Sequence, residues 1–144
     1  MKHLVLGFGT LVMAATMAMA HGGVKDPLVK ARMDLMVEIK DSTGVLGNML
    51  KGKIPFDAAQ AEAARLALLD HAKAIPAAFE VQATDPKTEA APAIWTDWDD
   101  FVAKSNDMVA AVEAADASSM DSLRAGMGAI GASCKACHKS YRID

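Results

Sequence analysis

Residues 123–141 read LRAGMGAIGASCKACHKSY. Leu123, Met127, Ile130, Cys134, Cys137 and Tyr141 recur there in alternating steps of four and three. That spacing gathers side chains on one face of an α-helix packed among other helices. Ser118 or Ser119 supplies its N-terminal cap. Upstream the same rhythm runs through Ile94, Trp98, Phe101, Ser105, Met108, Val112 and Ala115, opened by Pro92. Residues 82–91, with Asp85-Pro86 and Glu89, read as the longest loop. An Ala-rich helix precedes it, starting at Asp57 with Gln60 as capping-box partner and carrying Leu66, Leu68, Leu69, Ile75 and Phe79. Pro76 is expected to kink or stop that helix. The first helix spans residues 26–50 through Leu28, Arg32, Leu35, Ile39, Ser42, Leu46 and Met49, and Gly52 and Pro55 end it. Arg32 and Ser42 are polar interruptions of an otherwise apolar seam. Four amphipathic helices with mostly short connections predict an all-α, antiparallel up-down-up-down four-helix bundle.

Composition agrees with that class. The chain has 144 residues, 52% hydrophobic, 5% aromatic and 23% charged, with abundant alanine and few β-branched residues. It is too apolar for a disordered chain and poor in sheet formers. A net charge of −3 with no evident basic stripe argues against a nucleic-acid partner.

The first twenty residues read as a leader. Lys2 and His3 precede the apolar run at residues 4–13, and Ala18-Met19-Ala20 closes it. A basic start, a short apolar core and an Ala-x-Ala end describe a secretory signal peptide cleaved after Ala20. No other stretch approaches the roughly 18 apolar residues of a membrane span. The expected mature chain is one domain, residues 21–144, exported to a bacterial periplasm.

The chemistry is concentrated late in the chain. Cys134 and Cys137 are the only cysteines, and they stand in Cys134-Lys135-Ala136-Cys137-His138. Cys-x-x-Cys-His is the attachment signature of c-type haem. Two thiols three residues apart share one side of a helical turn, where they can form thioethers with the two vinyl groups of a porphyrin edge. His138, four residues after Cys134 on that face, can offer its imidazole to the iron. A thioredoxin-like pair would want a βαβ setting. A disulfide here would close too short a loop to stabilise much. A zinc site would need about two more ligands, and only His21 and His71 remain beyond the leader.

The ending Gly131-Ala132-Ser133-Cys134-Lys135-Ala136-Cys137-His138-Lys139-Ser140-Tyr141-Arg142 closely resembles cytochrome c′, the class II c-type cytochromes. So do Arg32, Gly44, the Lys51-Gly52…Pro55 turn, Asp57-Ala58-Ala59-Gln60 and Pro92-x-Ile94-Trp95. The globular class I cytochromes instead carry the motif near the N-terminus and take a methionine from downstream. Here no methionine follows His138, so any sixth ligand comes from an upstream helix.

The resemblance implies one haem c per chain, lodged between the helices on Cys134 and Cys137, with His138 as the iron ligand. It places Met36 at the distal position, Arg32 near a propionate, Arg142 beside the proximal histidine and Glu89 by the haem edge. The competing readings are a snorkelling edge residue for Arg32 and an ordinary solvated C-terminal cation for Arg142. The chain departs from the family pattern at Met33, where glutamine is common, and at Thr43 and Ala77, where aromatics are frequent. The family often pairs as a homodimer through its first two helices.

Two functions follow from the resemblance. In one, five-coordinate high-spin iron binds NO or CO, since an apolar distal side without a hydrogen-bond donor holds O₂ poorly. In the other, Met36 or Met33 ligates the iron and the protein is a six-coordinate electron carrier of the c-556 type. Both serve electron transfer with a periplasmic redox partner. No carboxylate pair, Ser/His/Asp set or phosphate loop speaks for an enzyme. Gly126, Gly128 and Gly131 are costly within a helix, and a close approach of haem or a neighbouring helix is expected there.

Overall fold

The computed structural model describes residues 23–143. The expected leader and its cleavage point lie outside the described residues. Five helices follow in order: α1 (Pro27–Leu50), α2 (Ala58–Phe79), α3 (Ala93–Thr96), α4 (Trp98–Ala114) and α5 (Met120–Tyr141).

Helices α1, α2 and α5 start where the sequence provides a cap, whereas Asp97 before α4 makes no side-chain capping bond. The Asp26 carboxylate accepts from the backbone N–H groups of Leu28 and Val29 at 2.9 and 3.0 Å, and Pro27 occupies the first turn. Asp57 accepts from the Gln60 backbone N–H at 2.8 Å. Ser119 and Ser122 form a reciprocal capping box at the start of α5. Beyond α1 the chain turns at Gly52, whose φ of +67° suits glycine.

The expected seams are buried or half-buried with one exchange and one break, and on α2 Leu66 turns out to solvent, 46% exposed. Val29, not Leu28, fills the first inward position of α1, and Leu28 is 42% exposed. Both lie within a turn of Arg32, and the helix phase favours the residue three before it over the one four before. The helix expected from Pro92 onward is divided at Asp97, which leaves helical geometry (φ −130°, ψ 49°) and whose carbonyl then accepts from Phe101 at the start of α4. Pro76 does not stop α2 at once. The helix continues one turn to Phe79, as a proline that removes a single N–H allows.

The bundle pairs α1 with α2 and α4 with α5, and α2 packs on α4, whereas α1 and α5 touch least among these pairs. Leu46, Met49, Leu68, Ile94, Val112, Leu123 and Ile130 are fully buried at its centre. Gly126 of α5 faces Ala115, the residue that closes α4, and a Cβ at position 126 would stand 2.8 Å from that of Ala115. The expected close approach is therefore met at Gly126, while Gly128 and Gly131 have open space around them. Among the described residues no helix is long and apolar enough to cross a membrane.

The loop after α2 is tied down at both ends of the chain it passes. Asp85 accepts from the backbone N–H groups of Lys25, Asp26 and Lys87 at 2.8, 3.1 and 2.8 Å, which fastens it to the entry of α1. An isolated antiparallel bridge joins Ala90 to Arg142, with Ala91 N–H donating to Tyr141 O and Ile143 N–H to Glu89 O, both at 2.9 Å.

Candidate functional site

Cys134 and Cys137 form no disulfide and lie half-buried on the inner side of α5, packed against the hydrophobic core. Burial raises both thiols above their ordinary values, and for Cys137 the nearby Lys104 opposes that rise. They are therefore neutral at pH 7, unlike the activated thiolate of a redox-exchange pair. Among the described residues no three His, Cys, Asp or Glu side chains converge as metal ligands would.

His138 stands on the same turn but toward solvent. Desolvation lowers its imidazole below the ordinary value, Arg142 adds to this and Glu89 opposes it. The ring is thus neutral at pH 7, the form that ligates a metal. Arg142 reaches back across the loop, its Nε and Nη2 both 2.8 Å from one Glu89 oxygen. The structure thus brings His138, Arg142 and Glu89 together. Lys135, His138, Lys139 and Arg142 line an open groove of about 380 Å³ on this side of α5.

Met36 faces the bundle from α1, half-buried against the core, whereas Met33 is half-buried off that cluster. Counted from the shared end of the bundle, Met36 and Cys134 each lie between about two and three helical turns in.

Arg32 is placed unexpectedly well. It is 3% exposed, and its Nε and Nη1 donate to the carbonyls of Ala78 (3.0 Å) and Ala83 (3.3 Å), with Nη2 donating to Val81 O. The guanidinium lies 5.3 Å from the Phe79 ring centroid and 5.1 Å from that of Trp95. It therefore caps the negative end of α2 from a neighbouring helix. Trp95 completes the clasp, its Nε1–H donating to Phe79 O at 2.8 Å.

A second network escaped the sequence reading. The buried Tyr141 hydroxyl donates to Asp100 Oδ2 at 2.5 Å and is 3.1 Å from Asp97 Oδ2. Burial and the two carboxylates push its ionisation far above the usual phenol range. Lys104 donates to Asp100 Oδ1 at 2.6 Å, and its ammonium lies 5.9 Å from the Tyr141 ring centroid. The available signal was Asp97, Asp100 and Lys104 in steps of three and four opposite the last helix.

Paired half-buried thiols, an adjacent neutral imidazole and an apolar wall with Met36 suit a flat, apolar macrocycle carrying one central metal, as haem is. The comparisons agree. A profile of the family described as Cytochrome C′ matches residues 27–142. Cytochrome c-556 of Agrobacterium fabrum is 36% identical over 118 residues, covering 80% of each chain. The structure of a cytochrome c′ from Rhodobacter spheriodes superposes with a TM-score of 0.75 at 33% identity, covering 81% of this chain and 95% of that one. A ferrous arginine-to-lysine variant of cytochrome c′ from Alcaligenes xylosoxidans, with bound NO, superposes with a TM-score of 0.71 at 35% identity, covering 81% and 94%. With its family matched from the first turn of α1 to the end of α5, and its only two cysteines placed to hold haem c, the chain belongs to the cytochrome c′ family.

Proposed function

We propose that this chain is an exported, periplasmic haem protein that exchanges electrons and binds NO or CO at a five-coordinate iron, without catalysing a reaction of its own. Haem held here supplies an iron that changes oxidation state by one electron and keeps one coordination position for a ligand. Cys134 and Cys137 fix the ring's edge to α5, and His138 presents a neutral imidazole from the same turn. Arg142, held by Glu89, sets the charge beside that imidazole. Arg32 keeps two of its five N–H donors beyond its carbonyl bonds, and these suit a propionate.

The observation that carries the reading is Met36, a bulky apolar side chain packed inward beside Leu35 and Ile39. Such a wall admits a small gas and offers no hydrogen bond to bound O₂. The NO complex of the Alcaligenes protein supports the ligand class. The second reading, a six-coordinate carrier with Met36 bound to iron, draws on that same inward placement. Met33, off the core, is the weaker ligand of the two.

The optical spectrum of the oxidised holoprotein separates them. A high-spin spectrum is expected, and Met36→Ala should stay high-spin and bind CO faster. A low-spin spectrum with a far-red sulfur-to-iron band that Met36→Ala abolishes would overturn the gas-binding reading. Haem should also stay with the denatured wild-type chain and leave the Cys134→Ala/Cys137→Ala variant.

A further inference from the structure

Charge is unevenly divided along this chain, and α5 carries a short basic stripe that the net charge of −3 concealed. Residues 122–143 contain four basic and no acidic residues, whereas residues 23–121 contain ten basic and seventeen acidic ones. The four cations are Arg124, Lys135, Lys139 and Arg142, all exposed on α5 or its C-terminal cap. At about 100° per residue they fall within an arc of roughly 60°, immediately to the solvent side of His138. Arg124 and Arg142 have carboxylate partners in Asp121 and Glu89. Among the described residues neither Lys135 nor Lys139 has one.

We infer that this stripe is a docking surface for a small redox protein whose cofactor edge is ringed by carboxylates. An acidic body bearing a basic stripe orients an acidic partner before contact, because the net charge of the remaining surface disfavours other approaches. The stripe also adjoins the turn whose cysteines would hold the haem, so a partner docked there would lie beside the group it reduces. Between the cations the exposed residues are small, Gly128, Gly131, Ala132 and Ala136. A partner can come close to this face, and Ile143, 43% exposed beside Arg142, is the one large apolar side chain that borders it among the described residues, too little for a lipid surface to take up. The inference rests on the electron-transfer part of the proposed function.

The test uses the holoprotein and an acidic flavodoxin as probe. In the reaction followed, one electron leaves the anionic flavin hydroquinone, which becomes the neutral semiquinone, and ferric iron becomes ferrous. No bond or proton changes hands. Rapid mixing should show association slowing steeply with salt. Lys135→Glu/Lys139→Glu should slow it about tenfold at low ionic strength and flatten the salt slope, while Lys51→Glu at the far end of α1 should not. Lys139→Glu alone, outside the attachment motif, serves if the double variant loads haem poorly. Amide shifts on adding oxidised flavodoxin should map to α5. Shifts mapping elsewhere, or rates indifferent to both lysines, overturn the surface, as does equal lysine dependence for anionic vesicles without flavodoxin binding. Flavodoxin bound on α5 without reducing the haem would uphold the surface and overturn the electron-transfer reading instead.

Discussion

Glu89 and Arg142 meet through one carboxylate oxygen and two guanidinium nitrogens, across 53 residues of sequence. The pair is about half-exposed on both sides, so its own contribution to stability is small, about 0–1 kcal/mol. Its charges also act on His138, in opposite directions. Glu89→Gln leaves Arg142 uncompensated beside His138, and a nearby positive charge favours ferrous over ferric iron. The midpoint potential should therefore rise, while thermal unfolding moves little because the backbone bridge does not need the carboxylate. Potentiometric titration of the two holoproteins checks the sign.

Arg32 should matter far more to stability. Arg32→Leu strands the carbonyl of Ala78 at the end of α2 and those of Val81 and Ala83 just beyond it, which now share one guanidinium. The cost is expected at about 2–4 kcal/mol in chemical unfolding. Arg32→Lys should recover only a minor part, since an ammonium cannot reproduce the planar fork. A loss below about 1 kcal/mol for the leucine variant would mean the clasp contributes nothing of its own.

The bundle and the attachment turn were legible because both are periodic and local. Steps of four and three mark the seams from Arg32 to Met49 and from Leu123 to Tyr141. Cys-x-x-Cys-His needs only one helical turn to be placed. What the sequence concealed depends on partners distant along the chain. Arg32 showed as a polar interruption, but its carbonyl partners lie 46 to 51 residues away and belong to backbone, which carries no residue signature. The break at Asp97 was hidden for the same reason, since the Tyr141 hydroxyl that engages it is 44 residues downstream.

Asp85 ties stability to pH. Backbone N–H groups of Lys25, Lys87 and Asp26 hold its carboxyl below the ordinary value. A depressed folded-state pKa gives stability that is fully present above the unfolded value, about 3.9, and lost as pH falls through the lower folded value. Asp85→Asn should therefore lower the unfolding midpoint at pH 7, and the gap to wild type should shrink below about pH 4. A gap that persists unchanged into strong acid would contradict the assignment.

The glycines of α5 should respond in opposite directions. Gly126→Ala gains roughly 1 kcal/mol of helix propensity but forces its Cβ to 2.8 Å from that of Ala115 and 3.1 Å from its Cα. Overpacking of that kind costs about 1–3 kcal/mol, so net destabilisation is expected. Gly128→Ala meets nothing within 4 Å and should stabilise by up to about 1 kcal/mol. Urea unfolding of the two variants, side by side, gives both signs.

The uneven pairing of the helices has a mechanical consequence. The two hairpins, α1 with α2 and α4 with α5, are bound along α2 and α4 like the leaves of a book along its spine, and the fore-edge is the thin contact between α1 and α5. Met36 is printed on one leaf and Cys134 on the other. Opening at the fore-edge breaks the fewest contacts, so it requires less free energy than unfolding either hairpin. A macrocycle being seated during maturation would use that margin, while the spine keeps the pages in register.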